Sequence, residues 1–247
     1  MQRIVRFILL GFLVVFVLPT LAFAALWLSQ ERPASWRAAD WSSAGLLPPP
    51  AEAPEASIHI LAARTGGLKG IVSVHSWIVL KRAGAKSYER YDVVGWGQPV
   101  RRNHRPADGR WYSNEPLVVY RATGEGAERL IPRIEAAIRA YPWQAAGSYR
   151  SWPGPNSNTF VAWVLSQLPE IAARMPPTAI GRDFPVNGSW LARLPSGGIA
   201  LSLGGLAGLT IGARAGLEVN LLGLVAGVSL AEPGLIVPAF GLVALPL

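Results

Sequence analysis

The spacing of apolar residues changes three times along the chain. It divides the sequence into four stretches, residues 1–28, 29–56, 57–196 and 197–247. The first stretch contains an uncharged apolar run from Phe7 to Leu28. As a helix with a rise of ~1.5 Å per residue, this run measures roughly 30 Å, which is the thickness of the hydrocarbon core of a membrane. The pattern therefore predicts one membrane-spanning helix at the N-terminus.

Charges beside the apolar run predict its orientation. Arg3 and Arg6 precede the run, and basic residues favour the cytoplasmic side. We therefore expect a single-pass protein of the cell inner membrane with its domain on the exported, periplasmic side. The alternative is a cleaved signal peptide, because Ala22-Phe23-Ala24 has the small-x-small form of a cleavage site. The run continues to Trp27-Leu28, which favours an uncleaved anchor.

The second and third stretches predict a linker and an α+β domain. Pro48-Pro49-Pro50 and Pro54 favour extended backbone in residues 29–56. Over 57–196, β-branched and aromatic residues predict four strands of an antiparallel sheet, Ser57–Ala62, Ile71–Leu80, Tyr88–Val94 and Leu117–Ala122. Apolar residues three and four positions apart predict two packed helices, Ala127–Tyr141 and another that begins near Asn156 and stops at Pro176-Pro177.

The last stretch is rich in glycine and predicts short strands. Residues 197–247 hold eleven glycines and only three charged residues. Apolar and more polar residues alternate around Leu209–Arg214 and Leu217–Leu222, which is the period of a strand. A faint repeat relates Leu203–Ile211 to Leu222–Leu230 and fits stacked hairpins. A pair of membrane helices is the alternative, because so few charges interrupt this stretch.

Composition narrows the classes of partner. The chain has 247 residues and a formal net charge of +8, but its basic residues are scattered, so we expect no nucleic-acid partner. The basic charge suits lipid headgroups or anionic envelope polymers. There are no cysteines and only three histidines, so neither a metal site nor thiol catalysis is expected. No glycine-rich phosphate-binding motif occurs, and no cofactor is predicted.

Candidate chemistry centres on the start of the last predicted helix. Ser157 follows the turn Pro153-Gly154-Pro155, where free backbone N–H groups could face a developing negative charge. His75, on the strongest predicted strand, is the candidate base, and Asp92 or His104 would orient it. The expected catalytic residues are thus Ser157, His75 and Asp92. The expected binding residues are Asn156, Tyr149 and Asn158.

Each of these residues also has a structural interpretation. Ser157 or Asn156 can simply cap the helix, because both residue types are preferred there. His75 can be a satisfied core histidine. Asp92 can form a salt bridge with Lys81 or Arg90 within the hairpin. In that case the protein is a non-catalytic binding or structural protein.

The order of histidine before an Asn-Ser-Asn-Thr-Phe helix start resembles circularly permuted papain-like enzymes. These include the NlpC-type peptidases, lecithin:retinol acyltransferase and the PPPDE peptidases. The resemblance covers roughly 58–175 and implies a hydrolase or acyltransferase acting on an amide or ester of the cell wall or lipid layer. It also implies that Ser157 stands where these enzymes have cysteine, although a hydroxyl ionises less readily than a thiol. The whole chain resembles the bacterial family called domain of unknown function 3750, which implies no activity.

Overall fold

The protein is α+β and contains two antiparallel sheets. A computed structural model describes residues 2–194 and 197–245. The four α-helices of this part are α1 Gln2–Phe12, α2 Leu18–Leu28, α3 Gly124–Arg139 and α4 Ser157–Gln167. The twelve strands are β1 Ser57–Arg64, β2 Val74–Lys81, β3 Glu89–Val93, β4 Val100–Arg102, β5 Leu117–Thr123, β6 Leu191–Arg193, β7 Ile199–Leu203, β8 Ala207–Gly212, β9 Gly216–Leu221, β10 Leu224–Ser229, β11 Gly234–Val237 and β12 Gly241–Ala244.

The N-terminal apolar run forms one continuous helix. A π-helical turn, Leu13–Val17, joins α1 to α2. The resulting helix, Gln2–Leu28, has 27 residues and a mean hydropathy of 2.7 in its most apolar window. It is long and apolar enough to cross a membrane, although a signal sequence would meet the same description.

The first sheet has five strands in the order β4-β3-β2-β1-β5. Strand alternation sends Ile58, Ile60 and Ile78 to one face, where they pack with the apolar stripes of α3 and α4. We call this the helix face. Leu61, Trp77 and Val79 point to the opposite face and form a second apolar cluster. Both faces are covered, so β1 and β2 are buried along nearly their whole length.

The cover of the second face comes from the stretch predicted to be a linker. Residues 29–55, which we call the strap, contain one 3₁₀ turn, Pro50–Glu52, and otherwise lack helix and strand. Trp41 packs edge-on against Trp111, with ring centroids 5.1 Å apart. Asp108 accepts hydrogen bonds from the Ser43 hydroxyl and from the backbone of Leu46. These contacts hold the strap on the sheet, and we call the covered side the strap face.

The second sheet has seven strands in sequence order, from β6 to β12. Glu218, Asn220 and Ser229 are buried on the side that meets the rest of the domain, called here the domain face. The two copies of the predicted repeat include the turns β7–β8 and β9–β10, and the backbone N–H of Leu222 donates to Leu206 of the other copy. The glycine-rich tail is therefore β-structure, as its alternation predicts.

Several element boundaries differ from those predicted. Helix α4 ends at Gln167, well before Pro176, because Leu168 precedes Pro169 and a residue before proline is disfavoured in helical backbone. Pro132 lies inside α3, beyond its first turn. The expected strand at Ile71 starts only at Val74, since Gly67–Ile71 forms a 3₁₀ turn. Strand β6 has no counterpart among the predicted strands.

Candidate functional site

Asn156 is the N-cap of α4. Its side-chain oxygen accepts hydrogen bonds from the backbone N–H groups of Asn158, at 2.9 Å, and Thr159, at 3.1 Å. Its amide nitrogen donates to the carbonyls of Ser151 and Ile180. The capping interpretation of Asn156 is therefore confirmed, and its amide group is fully engaged with the protein.

Asn158 ties the first turn of α4 to the sheet. Its amide nitrogen donates to the carbonyls of Val74, at 2.9 Å, and Ile180, at 2.8 Å. Its oxygen accepts a hydrogen bond from the Ser76 hydroxyl at 2.8 Å. Both donors of this amide are used, so none is left for an oxyanion or a ligand.

Ser157 and Tyr149 lie in the same region. Ser157 is the first residue of α4 and is only 3% exposed. Tyr149 packs at the edge of the core beside Gly95, and burial raises the pKa of its hydroxyl. Of the six residues predicted for the site, Asn156, Ser157 and Asn158 are thus consecutive in the first turn of one helix.

His75 and Asp92 lie together in a different place, on the strap face. His75 Nε2 is 3.3 Å from Asp92 Oδ2, and the same oxygen accepts a hydrogen bond from Arg90 Nη2 at 2.9 Å. His104 Nδ1 lies 3.0 Å from the other carboxylate oxygen. Trp111 stacks on the His75 ring with a centroid distance of 3.6 Å and an interplanar angle of 4°. The Asp92 carboxylate therefore sits at the centre of a buried group of three potential cations.

Electrostatics make Asp92 and Arg90 an ion pair beside the neutral imidazole of His75. Burial alone would raise the pKa of Asp92, but His104, His75 and Arg90 outweigh it and hold that pKa well below its usual range. Burial lowers the pKa of His75 more than Asp92 raises it. His75 is therefore neutral at pH 7 and can donate Nε2–H to the carboxylate.

The structure does not bring Ser157 and His75 together. Ser76 points to the helix face, where it bonds to Asn158, and its neighbour His75 points to the strap face with Trp77. The sheet thus lies between the imidazole and the start of α4. Among the described residues, no hydrogen bond joins the Ser157 hydroxyl to a histidine. The catalytic pairing stays a prediction.

A cleft that the sequence did not predict lies between β1, β5 and the strap. Its volume is about 340 Å³. Ser57 and His59 of β1 stand opposite Thr123 and Arg121 of β5, and all four side chains line the cleft with Tyr88. Ser57 Oγ and His59 Nδ1 are buried and have no hydrogen-bond partner in the described structure. Burial, aided by the charge of Arg121, lowers the pKa of His59 to about 4, so the ring is neutral at pH 7.

Lys81 fixes the strap beside this cleft. The ammonium group is buried and donates to three backbone carbonyls, those of Ala53, Glu55 and Arg82. The Tyr88 hydroxyl donates to Pro48 at 3.0 Å. Both contacts hold the strap at a fixed height above β1, so the cleft is preformed. The signal for it in the sequence is weak: Ser57 and His59 are the two polar positions in the first half of β1, which is otherwise apolar up to Arg64.

The chain belongs to a family of proteins without an assigned activity. The family described as "Protein of unknown function (DUF3750)" matches residues 55–184, just over half of the chain. This match covers the five-stranded sheet, α3 and α4, and confirms the resemblance to that family. No curated protein and no solved structure matches the chain.

Proposed function

We propose that this protein is a membrane-anchored binding protein of the cell envelope, with its domain on the exported side. Its ligand is a small polar molecule with a negatively charged group, bound in the cleft between β1, β5 and the strap. The observation that carries the proposal is the pair of buried polar atoms in the cleft wall, Ser57 Oγ and His59 Nδ1, which lack partners beside the guanidinium of Arg121.

Buried polar atoms without partners are costly, at ~1–3 kcal/mol for each group. They are uncommon in folded proteins unless water or a ligand satisfies them. A ligand hydroxyl, amide or carboxylate in the cleft would supply the missing partners of Ser57 and His59 once a side-chain movement in the cleft wall exposes them, because both atoms are fully buried in the unliganded protein.

The charge of the ligand follows from Arg121. This side chain is exposed and forms no salt bridge in the described part of the chain. It stands next to His59, which is neutral at pH 7 and therefore accepts or donates without repelling an anion. Glu52 and Glu55 line the strap side of the cleft. An anionic group would consequently bind at the β5 end, with neutral polar groups towards the strap.

Histidine ring signals provide a direct test, because the chain has only three histidines. The full chain, labelled with ¹³C-histidine in detergent, is titrated with inorganic phosphate, N-acetylalanine and neutral N-acetylglucosamine. We expect an anionic probe to shift the His59 signal while His75 stays unchanged. Arg121→Gln should remove the shift, whereas the matched control Arg129→Gln, on the exposed side of α3, should keep it. If no probe moves the His59 signal, or the shift survives Arg121→Gln, the proposal fails.

The hydrolase hypothesis requires a reactive Ser157 hydroxyl, whereas the binding hypothesis requires no reactivity at this residue. The resemblance to papain-like enzymes places a nucleophile there, but the candidate base His75 faces the other side of the sheet. Asn156 and Asn158 already use their amide groups within the fold. These contacts favour an inert helix start over a reactive one.

A fluorophosphonate probe, which labels activated serines, separates the two functions. We expect equal labelling of the wild type, Ser157→Ala and the control Ser166→Ala, whose serine lies on the exposed side of α4. Labelling that disappears only in Ser157→Ala would support the hydrolase and overturn the inert site.

A further inference from the structure

The seven-stranded sheet is apolar on the side that faces away from the domain, called here the apolar face. Residues in register across six strands form one row on it. These residues are all aliphatic and are 44–50% exposed: Ile199, Ile211, Leu217, Val228, Leu235 and Val243. Exposed apolar rows of this length are unusual in soluble proteins and indicate an interaction surface.

The buried polar groups of this sheet lie on the domain face, together with the apolar residues Val225 and Ile236, while the outward face is apolar. Strand β9 shows it most clearly: Leu217, with its outward side chain, is 44% exposed, while Glu218 and Asn220 are buried. Glu218 pairs with Arg174 and Arg182 on the domain face. A sheet next to water would place the carboxylate outside and the leucine inside. Here the environment outside the sheet must be less polar than water.

The N-terminal helix shows what that environment is. Its second half is the part that contacts the domain: Leu13–Val17 lies against β10, and the Phe23 ring meets Phe240 at 5.0 Å. Trp27 Nε1 donates to the Gly67 carbonyl. No residue of α1 is buried. The sheet thus lies beside the half of the helix nearest to the exported domain, a length of ~18 Å from Phe16 to Leu28, or about one leaflet.

We propose that the apolar face of the seven-stranded sheet lies on the exported leaflet of the same membrane that the helix crosses. The row of aliphatic side chains contacts the lipid chains of this leaflet beside the helix. Arg193 continues the row at the β6 edge, and Arg214 is exposed in the β8–β9 turn. Both are placed to meet anionic headgroups at the rim.

The absence of cysteine makes a clean labelling experiment possible. Single cysteines are introduced into the full chain at Leu217, at Phe7 in the helix and at Ser87, which is exposed in the β2–β3 turn, at the opposite end of β2 from the turn that Trp27 contacts. Each is labelled with an environment-sensitive fluorophore and reconstituted into phosphatidylcholine–phosphatidylglycerol vesicles. Nitroxide-labelled lipids then report contact between the label and the lipid chains.

We expect lipid nitroxides to quench the label at Leu217→Cys by about half, as at Phe7→Cys, because side chains on this face lie ~5–10 Å deep in the interface. The label at Ser87→Cys should stay bright. Quenching at Phe7→Cys without quenching at Leu217→Cys would overturn the proposal. A blue-shifted but unquenched label at Leu217→Cys, with disulfide-linked dimers, would assign the face to a second copy of the chain. The Leu235→Cys variant repeats the test if Leu217→Cys does not fold.

Discussion

The two sheets of this protein bury their polar groups in different places. The five-stranded sheet is covered on both faces and keeps Asp92 and Arg90 paired between the sheet and the strap, where His75 and His104 lie against the same carboxylate. The seven-stranded sheet is covered on one face only, and that is where its carboxylate lies. Both sheets therefore bury a carboxylate bound by arginine, but only the second leaves its apolar side chains outside. Polar groups in the first sheet are internal structure, whereas in the second they attach the sheet to the domain.

The largest effect should come from removing the carboxylate of the first sheet. Asp92→Ala leaves the guanidinium of Arg90, which is fully buried, without its counter-ion. We expect a loss of about 3–5 kcal/mol in the free energy of unfolding, the range for a broken buried ion pair. Urea denaturation of the full chain in detergent measures it. Asp92→Asn, which keeps the shape but not the charge, is the control. A loss below about 1 kcal/mol would mean that the cluster is solvated and does not stabilise the fold.

Removing the carboxylate of the second sheet should lower the free energy of unfolding by somewhat less. Glu218→Ala removes the partner of Arg182, whose side chain is 11% exposed, and of Arg174, whose side chain is 33% exposed. Because Arg174 can turn towards water, we expect a loss of about 2–3 kcal/mol. Burial raises the pKa of Glu218, but the two arginines outweigh it and lower that pKa overall, so this stabilisation is present above the ordinary carboxyl range and lost as the pH falls.

Hydrogen exchange can show whether Glu218 attaches the seven-stranded sheet to the rest of the domain. If the carboxylate attaches the sheet, hydrogen exchange in β9 and β10 should rise in Glu218→Ala while β1 and β2 stay protected. Uniform exchange over both sheets would show that the two sheets unfold as one unit.

The lowered pKa of His59 predicts that the free energy of unfolding depends on pH through a residue of the first sheet. Its pKa falls to about 4 in the folded chain, from 6.5, so the unfolded chain binds the proton more readily. The free energy of unfolding is then undiminished above pH 6.5 and decreases as the pH falls towards 4. We expect a decrease of about 2 kcal/mol, less than the full shift would give, because the cleft admits water.

Subtracting the His59→Gln variant isolates this contribution from that of the carboxylates. The difference in unfolding free energy between wild type and variant should change between pH 7 and pH 4.5, and the His59 ring signal should titrate near pH 4. A difference that is constant with pH, or a ring that titrates near 6.5, would contradict the burial of this imidazole.

The cap of α4 should make a smaller contribution. Asn156→Ala removes the acceptor for two backbone N–H groups, and caps of this kind contribute ~1 kcal/mol, up to about 2. Asn156→Asp, which keeps the acceptor, should recover most of the loss in thermal denaturation. Failure of Asn156→Asp to recover it would indicate that the two donor bonds to Ser151 and Ile180 matter more than the cap.

Local sequence patterns predicted most helices and strands. They did not predict that α3 and α4 cover one face of the first sheet while the strap covers the other. Alternation in β2 and the apolar stripe of α3 are local, so both elements were predictable from spacing. The side of the sheet reached by His75 depends on where α4 packs, which is a long-range property. The strap was predicted to be a linker because prolines favour extended backbone, yet its attachment depends on Asp108 and Lys81, distant in sequence. Asn156 was predictable as a cap because the capping preference is local.

The smallest effect on stability should come from a substitution on the apolar face of the second sheet. Leu217 is 44% exposed, so Leu217→Thr removes little burial and should change the free energy of unfolding in detergent by at most about 0.5 kcal/mol. The matched change in the first sheet, Leu61→Thr, alters a leucine that is fully buried and should cost about 3 kcal/mol. If both variants are destabilised equally, the face is covered within the folded protein and the contrast between the sheets is lost. If Leu217→Thr folds normally but a label at Leu235→Cys in the same variant is no longer quenched by lipid nitroxides, the leucine serves the membrane contact and not the fold.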